Sequence, residues 1–166
     1  MRKTNRLNFQ KGTTLIELLL YLALFSIILV VVVDLLFTSG QLKMESESQN
    51  SLQQDANLIS KRLNYEVHSA TSSATPSNSS LVLNVASETH TFSLSSGNLV
   101  FQKVVGPSTI NANLNSNLTT INSISFTNLG NALGKSIIKT VFTISSTKLT
   151  KQGANTKTFE IFSGLR

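Results

Sequence analysis

Residues 15–37 read LIELLLYLALFSIILVVVVDLLF, an almost wholly apolar run with Leu15 and Phe37 at its ends. As a helix it extends roughly 35 Å, more than the hydrocarbon core of a bilayer, and so predicts a membrane-spanning segment. The Thr38-Ser39-Gly40 triplet that follows weakens a helix, since Gly costs about 1 kcal/mol relative to Ala, and a bend or short break is expected there. Beyond it Leu52, Ala56, Ile59 and Leu63 recur at the spacing of one helical face, with Gln53, Asp55, Asn57, Lys61 and Arg62 elsewhere around the wheel. That pattern predicts an amphipathic helix in need of a partner surface. The stretch TSSATPSNSS (71–80) can neither sustain a helix nor build a core and reads as a linker.

After residue 80 the period changes to two. LVLNVAS (81–87), THTFSLS (89–95) and NLVFQKVV (98–105) predict successive strands, with a tight turn at Ser95-Ser96-Gly97-Asn98, where Gly97 and Asn98 tolerate positive φ. Gly106-Pro107 is expected to end the third strand, and the Asn-rich NANLNSN (111–117) reads as a polar connection. INSISFT (121–127), SIIKTVFTISS (136–146) and TKTFEIF (156–162) complete the strands, separated by loops over 128–134 and 152–155. In SIIKTVFTISS, Ile138, Phe142 and Ile144 share a face opposite Lys139, Val141 and Thr143; in TKTFEIF, Phe159 and Ile161 share one. The predicted fold class is α+β: a long N-terminal helix, half transmembrane and half amphipathic, packed on a small antiparallel meander.

Charge refines this picture more than it redirects it. The 166 residues carry a net +6, of which Arg2, Lys3, Arg6 and Lys11 contribute four positive charges ahead of the apolar run. This basic flank, with Glu45 and Glu47 beyond the run, orients residues 1–11 to the cytoplasm and the remainder outward by the positive-inside rule. A removable signal peptide would need a shorter apolar stretch and a small-residue cleavage site, and DLLFTSG after Val33 offers a poor one, so the run is expected to be retained. The chain has no Cys and therefore neither disulfides nor thiolate metal sites. His68 and His90 stand alone without metal-ligand spacing, no Gly-x-Ser-x-Gly elbow occurs, and no catalytic set or cofactor is expected. Glu45, Glu47 and Asp55 read as solvated residues of the amphipathic helix, and Asp34 as an interfacial carboxylate at the outer end of the span. Asn78-Ser79-Ser80 and Asn117-Leu118-Thr119 match a glycosylation triplet that is frequent by chance in so Ser- and Asn-rich a chain. The basic residues after Lys135 are read as solvated rather than as a nucleic-acid surface, because no aromatic stacking platform accompanies them.

The segment Gly12-Thr13-Thr14-Leu15-Ile16-Glu17, between a short basic leader and a membrane-length apolar run, resembles the GFTLIE signature of type IV prepilins and pseudopilins. The resemblance implies a leader of residues 1–12, cleavage between Gly12 and Thr13 by a membrane prepilin peptidase, and N-methylation of Thr13. Thr13 departs from the Phe usual at that position. Glu17 then becomes the assembly residue: in this family the matching Glu attracts the N-terminal amine of a neighbouring subunit. A carboxylate in an apolar span costs on the order of 3 kcal/mol unless something compensates it. The alternative role is local, a capping box Thr14-Leu15-Ile16-Glu17 at the helix start.

The implied organisation is a leader (1–12), a transmembrane and assembly helix (13–38), an amphipathic helix (39–70), a linker (71–80) and a β-sheet head (81–166). In layout the chain is most similar to the J-type minor pseudopilins of type II secretion and the W-type minor pilins of type IV pili. Those are non-enzymatic, tip-associated subunits that help initiate assembly. The implied partners are other pilins or pseudopilins in a filament, the prepilin peptidase, an inner-membrane assembly platform and membrane lipid. The implied location is the cell membrane as a single-pass precursor, then an extracellular or periplasmic filament. The competing readings are a subunit of a DNA-uptake (competence) filament and a signal-anchored extracellular binding module, the latter keeping its leader.

Overall fold

A computed structural model describes residues 14–73, 77, 79–130, 136–151 and 153–165. Helix α1 (Leu15–Ser69) is followed by eight strands, β1 (Ser72–Ser73), β2 (Ser80–Val85), β3 (Glu88–Ser95), β4 (Asn98–Val105), β5 (Ser108–Asn113), β6 (Thr119–Asn128), β7 (Ile137–Thr150) and β8 (Gly153–Gly164). The chain divides into two compact units, Met1–Gly40 and Gln41–Arg166.

In the first unit the described residues are the cap residue Thr14 and the N-terminal part of α1, exposed along its whole length. Its apolar residues meet no protein surface, and the helix is long and apolar enough to cross a membrane. Of the bend or short break expected at Thr38-Ser39-Gly40, the break is absent: α1 continues through these residues. One glycine costs about 1 kcal/mol, too little to interrupt a helix that propagates on both sides of it.

The second unit confirms the α+β class, with the helix packed not on one sheet but on two antiparallel ones. Sheet A has the order β1-β2-β3-β4-β5 and sheet B the order β6-β7-β8. Leu52, Ala56, Ile59 and Leu63 are buried, at 0–1% exposure, as the helical spacing requires. Against them lie Leu81, Leu83, Phe92 and Leu99 of sheet A and Ile121, Ile138, Phe142 and Ile144 of sheet B, in one cluster. Each fully buried Leu, Ile or Phe contributes about 1.5–3 kcal/mol, so this shared core is what binds helix and both sheets together. β7 alternates as read, with Ile138, Phe142 and Ile144 inward and Lys139, Val141 and Thr143 half-buried on the other side.

Sheet A is built from three successive two-residue hairpins, closed by the pairs Val85↔Glu88, Ser95↔Asn98 and Val105↔Ser108. Each has a positive φ at its first loop residue: Ala86 (54°), Ser96 (49°) and Gly106 (57°). Primed turns of this kind match the right-handed twist of the strands they join. The positive-φ pair in the middle hairpin is Ser96 and Gly97, one residue earlier than expected. Gly97 is required there twice over: its φ is +79°, and a Cβ would lie 2.7 Å from Thr120 Cγ2, where β6 crosses the turn. Gly106-Pro107 ends β4 at Val105 as expected, and it also turns the chain into β5, a strand that the sequence pattern did not predict. Every residue of β5 is exposed, so it carries none of the buried alternation by which a strand is recognised. Ser72 and Ser73, inside the stretch read as a linker, pair with Asn84 and Leu83.

Candidate functional site

The residues singled out by sequence begin at the head of α1. Gly12 and Thr13, the expected cleavage and methylation positions, lie outside the described residues. Thr14 is the N-cap: its carbonyl accepts the Leu18 N–H at 3.1 Å and its Oγ1 accepts the Glu17 N–H at 3.3 Å. This is one half of the capping box, satisfying one of the donors a helix start leaves unpaired. The Glu17 carboxylate turns along the helix, where the Tyr21 hydroxyl donates to its Oε1 at 3.2 Å. Tyr21 was not singled out by sequence, although Glu-x-x-x-Tyr places the two one turn apart on the same face.

Thr14, Glu17 and Tyr21 are all exposed, on a helix whose flanking residues Leu15, Ile16, Leu18 and Leu19 are exposed too. The tyrosine offers a neutral hydrogen bond and leaves the negative charge unbalanced, and no cation pairs with Glu17 among the described residues. Phe37, at the far end of the span, is 68% exposed. Asp34 lies about 26 Å along the axis from Glu17, so the uncharged part of the helix runs between the two acids.

Two polar clusters are buried in the second unit, and the first corrects the expectation for Asp55. Asp55, expected as a solvated residue, is only 8% exposed. Its Oδ2 accepts from the Ser116 N–H at 2.9 Å, the Ser116 hydroxyl at 2.8 Å and the Thr119 hydroxyl. Asn115 beside it accepts from the Leu99 N–H at 2.9 Å and donates to the Thr119 carbonyl at 2.9 Å. Together they hold the connection from sheet A to sheet B. Burial of Thr119 also takes the hydroxyl of the Asn117 glycosylation triplet off the surface. Asn78 of the other triplet lies outside the described residues.

The second cluster is an ionic chain. Glu66, 2% exposed, receives Arg62 at 2.9 Å and His90 Nδ1 at 2.6 Å; His90 Nε2 faces Glu88 at 3.1 Å, and Glu88 pairs with Lys103 at 2.6 Å. His90 thus stands between two carboxylates, one facing each ring nitrogen, and a ring N–H donates to the carboxylate it faces. The Lys103 hydrogen bond, and after it that of His90, holds the Glu88 carboxyl below the usual carboxylate range. Lys148 does the same to Glu47 from 2.6 Å. Lys139 pairs with Glu160 at 2.6 Å, so two of the basic residues near the C-terminus are matched by acids. Among the described residues no three His, Cys, Asp or Glu side chains are arranged to hold a metal ion. Comparison with family models, with curated proteins and with solved structures finds no match to this chain.

Proposed function

We propose that this chain is a minor pilin or pseudopilin, a structural subunit of a type IV filament that is made as a membrane-anchored prepilin and trimmed between Gly12 and Thr13. The observation that carries the reading is Glu17, a carboxylate without a cationic partner among the described residues, on an exposed apolar helix and five residues after Gly12. A negative charge in hydrocarbon costs on the order of 3 kcal/mol, and the Tyr21 hydroxyl leaves it uncancelled. Cleavage after Gly12 creates a positive amine four residues before Glu17. On a neighbouring subunit that amine is the natural counter-ion, and pairing the two sets the axial register of a new subunit. The helix packed on an antiparallel head, in a chain with no cysteine to close a disulfide loop, suits a specialised subunit near a filament tip.

The test has two arms. Mass spectrometry of the protein from cell membranes is expected to give an N-terminus of methyl-Thr13; an intact Met1, or a start downstream of Val33, overturns the proposal. Glu17→Gln keeps the Thr14 cap and a Tyr21 partner while removing the charge. It is expected to insert and be processed as the parent is, yet to fall out of sheared filament fractions; undiminished incorporation refutes the amine pairing.

A further inference from the structure

Four strands bound the two sheets, and β5 differs from the other three. β1 is two residues long, β8 carries Lys157 and Glu160, and β6 is contacted by β2, β3 and β4. β5, Ser-Thr-Ile-Asn-Ala-Asn, has no charge and no proline, and its register against β4 is unbroken by a bulge. Charges, prolines, bulges and covers are the devices by which proteins blunt a sheet edge, and β5 has none of them among the described residues. The ladder fixes which of its groups are free. Val105↔Ser108 closes the hairpin and the Leu114 N–H donates to the Leu99 carbonyl at 2.9 Å, so the alternate residues Thr109, Asn111 and Asn113 turn their N–H and C=O groups away from β4.

Beside this edge runs a groove of about 920 Å³ between α1 and sheet A. Its apolar lining includes Leu58, Tyr65, Phe101 and Ala112. Leu58 and Tyr65 are 49% and 66% exposed, and Ile110, two residues before Ala112 on the same side of β5, is 57% exposed. The charges of the groove are of one sign. Lys61 and Arg62 line it with no carboxylate among the lining residues, and Lys61 has no ion-pair partner among the described residues.

We infer that β5 and this groove form a docking site for an extended segment of another polypeptide, one that adds as a strand to the β5 edge, seats alternate apolar side chains against Leu58 and Tyr65, and places an acidic side chain by Lys61. Main-chain hydrogen bonds to Thr109, Asn111 and Asn113 supply affinity, and the groove and its positive rim supply selectivity. The surface does not depend on Glu17 or on processing at Gly12, so it stands or falls separately from filament assembly.

The test uses the full chain in detergent micelles and a synthetic ten-residue peptide of alternating Val and Thr with one Glu on its Val face, paired with a version carrying Lys in place of Glu. The Glu peptide is expected to bind and to slow amide exchange at Thr109, Asn111 and Asn113. Asn111→Pro removes an N–H that β4 does not use, so the helix and sheet signals by circular dichroism are retained while peptide binding weakens at least about tenfold. Lys61→Glu is expected to reverse the preference between the two peptides. Unslowed exchange at those three amides, equal binding by Asn111→Pro, or an unchanged preference in Lys61→Glu each overturns the inference. Protection of the same amides in a peptide-free dimer overturns it too, by making the occupant a second copy of the chain.

Discussion

At the scale of single residues, the polar groups that matter most to the second unit are those whose partners lie far away in sequence. Asp55 sits among the charged and amide positions of an amphipathic helix and nothing local distinguishes it from Asn57 or Lys61. Only the arrival of Ser116 and Thr119 encloses it. Removing its carboxylate leaves the buried Thr119 hydroxyl and the half-buried Ser116 N–H without their acceptor, a loss of about 1–3 kcal/mol for a fully buried group and less for a half-buried one. Asp55→Ala is accordingly expected to lower the thermal midpoint of the second unit by several degrees in calorimetry of the full chain, and Asp55→Asn, which keeps one accepting oxygen, by less. Glu88 makes a prediction about pH. Its folded value lies below the ordinary 4.5, held there first by Lys103 and then by His90, so its contribution is complete above the ordinary value and vanishes as the pH falls through the lowered one. Stability is expected to drop on acidification below about pH 4.5, and Glu88→Gln to make that drop shallower, with Glu47 and Lys148 sustaining part of what remains.

At the scale of elements, the amphipathic half of α1 was fully legible, because burial of one face imposes a helical period that Leu52, Ala56, Ile59 and Leu63 obey. Ile59→Ala is expected to cost about 2–5 kcal/mol, as for other buried aliphatic truncations, whereas the neighbouring Leu58→Ala, half exposed in the groove, is expected to change stability by well under half as much; denaturant titration distinguishes them. β7 was legible for the same reason with a period of two. β5 was not, since an edge strand exposed on both sides leaves no periodic trace. Its turn, Gly106-Pro107, also carries the residues that equally mark the end of a strand. Gly97 shows a finer limit: a turn was evident from the sequence, but not that β6 would press Thr120 against it. Gly97→Ala combines an unfavourable φ with that clash and is expected to destabilise the chain measurably, while Gly153→Ala, with open space around its Cβ, bears only the strain of its φ of +98°.

For the whole molecule, the decisive contrast is between a first unit whose apolar side chains meet no protein and a second unit that buries its own. The exposed part of α1 is long and apolar enough to cross a membrane. The full chain is therefore expected to remain with membranes through an alkaline carbonate wash and to be released by detergent; recovery in the washed supernatant would contradict the membrane span. The head needs no such surrounding, because helix and sheets enclose one core. A single meander was expected from the run of strands, and the division into two sheets arises at residues 114–119, where Asn115 and Asp55 fasten the connection rather than let the ladder continue from β5 to β6.

Local order in the sequence was enough to mark the helix by its apolar run and buried face, to mark the strands β2, β3, β4, β6, β7 and β8 by their alternation, and to place Glu17 within a prepilin-like motif. Those properties depend on neighbours a few positions away. Tertiary structure alone decided that the strands form two sheets, that Asp55, Glu66 and His90 are interior, and that β5 exists with an open edge. The first two depend on contacts between residues tens of positions apart, which short-range periodicity does not record, and β5 leaves no periodic trace because all of its residues are exposed.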